Sequence, residues 1–265
     1  MKTLVFLDLD NTFWSDQAGV PDSALAAIHK AQARGHLFFS NTGRARGGTR
    51  ELMAYGLDGR CYAAGAEAFY GDEKIVDEPL GIEASRQLQS ILDIGEGILI
   101  AEGGDRCFVR AYDRTYFQEL FDLLASLDDP FIDHPDIDVM TDEDHAQIYK
   151  YSLWVRGGVP AEVMALTSAT YHATSMGDAT EFTQKHISKA TILDTMRALL
   201  EKRLGEELRT MAIGDSGNDL PMLRAADIGV CMGNGTDEAK AAADYVTRPI
   251  DQDGLAHALE HFGLA

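Results

Sequence analysis

The chain has 265 residues, 45% of them hydrophobic, which suits a soluble globular protein of one large domain or two modest ones rather than a disordered chain. Its 43 Asp and Glu against 23 Lys and Arg give a formal charge of −20, so nucleic-acid backbones and anionic membrane, both polyanions, are disfavoured as partners. The three cysteines, Cys61, Cys107 and Cys231, are widely spaced and form no CxxC pair, which argues against a disulfide framework or a zinc site and points to the reducing cytoplasm.

In chain order, an apolar run predicts a strand over Thr3 to Asp8, closed by Asp8-Leu9-Asp10-Asn11-Thr12. Side chains two apart on a strand share a face, so Asp8 and Asp10 are expected to share one small volume, where a cation, magnesium above all, would relieve their repulsion. Those carboxylates also interrupt the run, which lacks a small-residue cleavage site, and no other stretch approaches the roughly 18 apolar residues of a spanning helix; a soluble, unsecreted protein is expected. Pro21-Asp22-Ser23 opens an Ala-rich helix to Arg34, stopped by Gly35, before a strand at His36 to Ser40. A helix around Arg46 to Tyr55, an apolar segment at Arg60 to Ala64 and a hairpin-like stretch from Gly71 to Glu78 follow. The alternation implies a parallel sheet.

From about Gly81 the pattern changes to mixed α+β: a helix Ile82 to Leu92, strands near Ile98 to Ala101 and Cys107 to Arg110, and a helix Thr115 to Leu127. Strands near Asp138 to Thr141 and Gln147 to Val155, a helix Pro160 to Ser168 and strands Tyr171 to Thr174 and Ala179 to Phe182 complete an inserted segment. The βα alternation resumes with an amphipathic helix Ser188 to Leu204, a strand Thr210 to Ile213, a helix Leu220 to Ala226 and a strand Ile228 to Val230. A helix after Thr236, a short Tyr245-Val246 strand and a helix Asp253 to His261 end the chain. The expected architecture is an α/β fold: a Rossmann-like doubly wound parallel sheet core over 1–80 plus 183–265, with an inserted α+β cap over 81–182.

Three further segments carry chemistry. Ser40-Asn41-Thr42-Gly43-Arg44 ends a buried strand in a turn whose amides and hydroxyl could receive an anion, although a plain turn with Thr or Asn as N-cap reads equally well in isolation. Gly214-Asp215-Ser216-Gly217-Asn218-Asp219 brings two more carboxylates to a strand end, where they could also serve as helix caps. Lys189, placed in a helix's first turn, opposes the macrodipole and calls for a neighbouring carboxylate or phosphate.

Together, the DxDNT segment, SNTGR, Lys189 and GDSGNDLPML followed by Gly229-Val230 and Met232-Gly233-Asn234 resemble the motifs of the haloacid dehalogenase-like hydrolases. The large insertion resembles the type IIB cap of the Cof-type branch. The resemblance implies Asp8 as nucleophile and metal ligand, Asp10 as general acid and base and a further metal-site carboxylate, Thr42 and the Gly43 amide as phosphoryl ligands, and Lys189 as the group neutralising transition-state charge. It implies Asp215 and Asp219 at a magnesium site and Asn218 at the substrate. Parallel strands direct their carboxyl ends to one sheet edge, so such distant segments can meet there.

Ala64-Gly65-Ala66 and Ala190 depart from the Asn-Gly-Ala and Lys-Gly patterns common in that family, which bears on substrate orientation. In the insertion, Arg106, Arg110, Arg114, Glu102 and Glu181 either contact a leaving group or are exposed strand charges, the commoner fate. His29, His36, His134, His145, His172 and His186 show no ligand spacing, and Trp14 reads as packing. The expected activity is magnesium-dependent hydrolysis of a small phosphorylated metabolite, such as a sugar phosphate, through an aspartyl phosphate on Asp8. Transfer to another hydroxyl, as in a mutase, and a non-catalytic phospho-acceptor module are the alternatives; carbon-halogen hydrolysis would leave Asp10 and magnesium superfluous.

Overall fold

A computed structural model describes residues 1–15, 19–49, 55–112, 115, 118 and 135–265, and the chain forms two compact units: Met1–Gly43, Leu52–Ile75 and Ser188–Ala265 in the first, Arg44–Glu51 and Val76–Ile187 in the second. Among the described residues no helix is long and apolar enough to cross a membrane.

The first unit is built on strands β1 (Thr3–Leu7), β2 (Leu37–Asn41), β3 (Gly59–Tyr62), β4 (Glu67–Tyr70), β5 (Glu73–Asp77), β11 (Arg209–Gly214), β12 (Ile228–Cys231) and β13 (Tyr245–Val246). They form one sheet in the order β13-β12-β11-β1-β2-β3-β4-β5, parallel from β13 to β3, with β4 added antiparallel to β3. The uninterrupted apolar run of β1, buried at every position, is what a parallel strand covered on both faces requires. Val5, Leu7, Phe38, Met211 and Ile213 pack against α1 (Asp22–Gln32) and α8 (Gly254–His261). Phe6 and Phe39 project to the opposite face and stack with ring centroids 5.3 Å apart. Helices α5 (Thr191–Leu204), α6 (Leu220–Ala225) and α7 (Asp237–Ala242) complete this unit.

One close approach fixes how α6 meets the sheet. A Cβ on Gly229 of β12 would stand 2.2 Å from the Leu223 carbonyl oxygen, a backbone atom that cannot swing aside. Gly229→Ala should therefore destabilise the protein by on the order of 2 to 3 kcal/mol. Urea unfolding would register this as a lowered midpoint at unchanged slope.

The second unit carries strands β6 (Ile98–Gly103), β7 (Cys107–Ala111), β8 (Ile148–Trp154), β9 (Tyr171–Met176) and β10 (Ala179–Gln184), paired antiparallel in the order β7-β6-β8-β10-β9. One face buries Leu99, Phe108, Tyr151, Leu153 and Phe182 with Leu88 and Leu92 of α2 (Ile82–Leu92) and Val163 of α4 (Ala161–Thr167). Within that layer Ser85 Oγ lies 2.9 Å from His145 Nδ1 and 2.9 Å from Tyr151 Oη. His145 closes the short helix α3 (Asp142–His145), and burial, with Arg86 nearby, holds its pKa below the ordinary value.

A histidine depressed in the folded state contributes stability above its unfolded pKa and loses it as pH falls. The His145 contribution should therefore be lost on acidification below about pH 6.5, so that between about pH 7 and about pH 5 the wild type loses more stability, or gains less, than His145→Gln. Chemical unfolding across that range tests it; equal slopes would exclude His145 as the cause.

Several expectations change. Asp138 to Thr141 is no strand: Ile137–Val139 forms a 3-10 turn, with the Asp136 carboxylate accepting from the Asp138 amide, and Thr141 caps α3 in a reciprocal box with Asp144. Local Asx and Thr bonding here outcompetes strand pairing. Arg46–Gly48 is a 3-10 turn rather than the start of a regular helix, and the rest of that helix, the Thr115 to Leu127 helix, Arg114 and His134 lie outside the described residues, apart from isolated positions. The helix expected from Ser188 begins at Thr191.

Glu102 is not an exposed strand charge: only 3% of its surface is accessible. It lies opposite Lys150 in the β6–β8 register, accepts from Ser152 Oγ at 2.6 Å, and shares the Lys150 ammonium with Glu181. Arg110 pairs with Asp93, Asp136 and Asp138, while Arg106 stays largely exposed beside Asp144.

Candidate active site

β1 delivers the first carboxylate. The Asp8 amide continues the parallel ladder by donating to the Ile213 carbonyl at 2.9 Å, after which the chain turns sharply. The amides of Thr12, Phe13 and Trp14 all donate to the Leu9 carbonyl, and Asn11 takes a left-handed φ of 59°, a conformation Asn tolerates. Asn234 secures the loop by donating from Nδ2 to the Asn11 carbonyl at 2.8 Å while its Oδ1 accepts from the Ile250 amide.

Because the strand stops at Leu7, the shared-face argument for Asp8 and Asp10 does not carry through. Asp10 is half-buried, bridged to Trp14, and is not a member of the acidic cluster described below, although its charge helps to raise the pKa of both Asp8 and Asp215.

β11 delivers the second carboxylate, followed by a tight loop. Asp219 Oδ2 accepts from the amides of Asp215 and Ser216 at 2.9 and 3.0 Å, and Ser216 and Asp219 form a reciprocal capping box. A Cβ at Gly214 would fall 2.5 to 2.6 Å from Asp219 side-chain atoms, so the tucked carboxylate needs glycine at that point. Asn218 is half-buried, its Oδ1 accepting from Ser216 Oγ at 2.8 Å.

Lys189 precedes α5 in a turn tied by Ser188 and Thr191, whose side chains each accept from the other's amide at 3.3 and 3.1 Å. Ala190 sits there at φ −80°, an ordinary right-handed conformation, so glycine is not required after the lysine. With the helix starting two residues later, Lys189 escapes the first-turn penalty. Its Nζ donates to Asp8 Oδ1 at 2.5 Å and Asp219 Oδ1 at 2.7 Å, and its side chain is 1% exposed.

One carboxylate oxygen each from Asp8, Asp215 and Asp219 lie within 4.8 Å of one another, and all three residues are buried. Burial, then Asp219, push the Asp8 carboxyl well above the usual range against the pull of Lys189. Asp215 is raised to about 6 for the same first two reasons, partly offset by Thr12, whose Oγ1 donates to it at 3.3 Å. Burial opposes the Lys189 charge, but Asp219 and Asp8 outweigh it and raise that pKa. Three carboxylates against one ammonium leave excess negative charge, and a set of hard oxygen donors in such a place fits a hard divalent cation. Asp219 has both oxygens engaged by Lys189 and by amides, which leaves Asp8 and Asp215 as the freer donors.

Thr42 and Gly43 follow β2, the strand next to β1, and are buried; the Thr42 amide donates to the Cys61 carbonyl at 3.0 Å. The sequence carried Thr12 and Asn234 only as members of motifs and read Asn41 only as a candidate N-cap. Asn41, a polar residue closing an apolar strand, was the detectable signal; the partners of the other two emerge only on folding.

Residues 5–259 match the family described as haloacid dehalogenase-like hydrolase. A Bacillus subtilis (strain 168) protein named "Putative phosphatase YkrA" is 26% identical over 265 residues, 98% of each chain. Among solved structures, the subclass IIB sugar phosphatase BT4131 superimposes with a TM-score of 0.83 at 27% identity over the whole of both chains. BT1666 from Bacteroides thetaiotaomicron, described among the phosphatases of that superfamily, gives 0.81 at 26% identity, covering 100% of this chain and 96% of its own.

Proposed function

The chain belongs to the haloacid dehalogenase-like hydrolases and is a phosphatase, and from that premise we propose that it hydrolyses a small phosphorylated metabolite, such as a sugar phosphate, with magnesium at the cluster around Asp8. The observation that carries the reading is the Asp8 carboxylate held by the Lys189 ammonium beside Asp215 and Asp219. Asp8 and Asp215, with Asp10 and Asp219 completing the acidic surround, would hold the ion, which supplies charge neutralisation at the phosphoryl group and a template for its approach.

The chain's own groups perform the transfer. An Asp8 carboxylate oxygen attacks phosphorus, the bond to the leaving oxygen breaks, and Asp10 gives that oxygen its proton. Asp10 then takes a proton from water, whose oxygen attacks the aspartyl phosphate, releasing phosphate and restoring Asp8. Lys189 offsets the charge that builds on the phosphoryl oxygens, Thr42 and the Gly43 amide bind those oxygens, and Asn218 orients the substrate.

The inserted segment, 81–182, serves as the cap that recognises the leaving group, since the residues gathered at the cluster are fitted to phosphoryl and cation rather than to a sugar. The charge of −20 supports small anionic esters admitted one at a time over polyanionic partners, and three buried cysteines, none of them in a disulfide among the described residues, support a cytoplasmic setting.

A panel of phosphate esters assayed for free phosphate, with magnesium and with chelator, tests the proposal. Release is expected only with magnesium, which should also raise the thermal midpoint of the chelated protein. Equal rates with chelator would remove the ion from the reaction; loss of ester without free phosphate would point to transfer onto another hydroxyl.

A further inference from the structure

Asn41 is fully buried at the end of β2, and the reaction outlined above gives it no part. Its Nδ2 donates to the backbone carbonyl of Lys189 at 2.9 Å and lies 3.5 Å from the Met222 sulfur, while its Oδ1 has no hydrogen-bond partner among the described residues. A buried acceptor left unpaired is costly, so an apolar side chain of the same size would serve β2 better if packing were all that this position required. What an apolar residue cannot do is hold the Lys189 peptide.

Lys189 is thus fixed at both ends: its ammonium by Asp8 and Asp219, its main chain by Asn41. Ser188 and Thr191 brace the flanks of the same turn without bonding the Lys189 carbonyl themselves. Asn41 also immediately precedes Thr42, so one side chain links the turn assigned to phosphoryl binding with the turn that presents the lysine.

We propose that Asn41 is a positioning residue for phosphoryl transfer, setting the reach of Lys189 through the bond to its carbonyl; this rests on the catalytic reading of Lys189 given above. The bond acts on where the ammonium sits when phosphorus is attacked rather than on substrate capture. A displaced catalytic group costs turnover far more than affinity.

Asn41→Leu, Asn41→Ser, Met222→Leu and Lys189→Met, assayed with magnesium and p-nitrophenyl phosphate, test this. Asn41→Leu should lower kcat about 10- to 100-fold with KM within about twofold, while its unfolding midpoint stays level or rises. Asn41→Ser, which underfills the site and cannot reach the carbonyl, should lose kcat similarly should the leucine variant not fold. Met222→Leu keeps the bond to the Lys189 carbonyl and should keep kcat. Wild-type kcat in both Asn41 variants beside an inactive Lys189→Met would overturn this inference alone, as would a loss in Met222→Leu equal to theirs. Wild-type kcat in Lys189→Met would bring down the reading of the lysine and this inference with it.

Discussion

Asp8→Asn is expected to abolish phosphate release, with kcat falling on the order of 10⁴-fold or more, because the amide cannot act as the nucleophile and no neighbouring carboxylate can take its place in line. Asp219, which shares the cluster, is committed to Lys189 and to two backbone amides. Stability should move the other way. In the metal-free protein Asp8 is buried, and its charge is opposed first by that burial and then by Asp219. Removing one of three carboxylates relieves the excess negative charge while Lys189 retains Asp219.

The unfolding midpoint measured in chelator should therefore hold or rise in Asp8→Asn, and the stabilisation gained on adding magnesium should shrink. Both readouts come from one titration of thermal midpoint against magnesium. Turnover within tenfold of wild type, or undiminished stabilisation by magnesium, would remove Asp8 from its assigned role.

Lys189→Met should damage both activity and folding. Asp8 and Asp219 would lose the ammonium they share, with Asp215 beside them, and breaking a buried ion pair by removing one partner costs about 3 to 5 kcal/mol. Arg is not expected to rescue it, since a side chain 1% exposed between two carboxylates leaves no room for a planar guanidinium.

The pH dependence gives the cause. Asp8 and Asp215 are already raised with the lysine present, and without it they would rise further. A carboxyl raised in the folded state binds its proton more tightly there than in the unfolded chain, so folding gains as pH falls through the raised value. The stability deficit of Lys189→Met against wild type should accordingly narrow on moving from about pH 8 to about pH 5. A deficit independent of pH would mean lost packing rather than uncompensated charge.

Much of the fold was legible because its parallel strands announce themselves locally. A strand covered on both faces must be apolar at nearly every position, and Leu4 to Leu7, Phe38 and Phe39, and Met211 to Ile213 are such runs, each giving way within a few residues to a polar turn. The helix Ile82–Leu92 fell where its apolar spacing put it. Asp138 to Thr141 misled because its Val139-Met140 pair suits a strand, while Asx and Thr side chains can offer the backbone nearer partners. Glu102 misled because a charge on a strand is ordinarily exposed, and only the β6–β8 register brings Lys150 opposite it.

By itself, then, the amino-acid sequence determined which segments end in reactive groups: Asp8 after β1, Thr42 after β2 and Asp215 after β11, each at the carboxyl end of an apolar run. Only the tertiary structure decided which of these groups touch. Lys189 meets Asp8 across 181 positions and Thr12 meets Asp215 across 203, contacts that no local pattern encodes. It also set Asp10 beside the three clustered carboxylates rather than among them, near enough for its charge to raise Asp8 and Asp215, because β1 stops at Leu7 and the strand alternation does not run on to Asp10. Patterning is a property of neighbours in the chain, whereas charge compensation depends on distance in space, and the pairing of parallel strands supplies that distance.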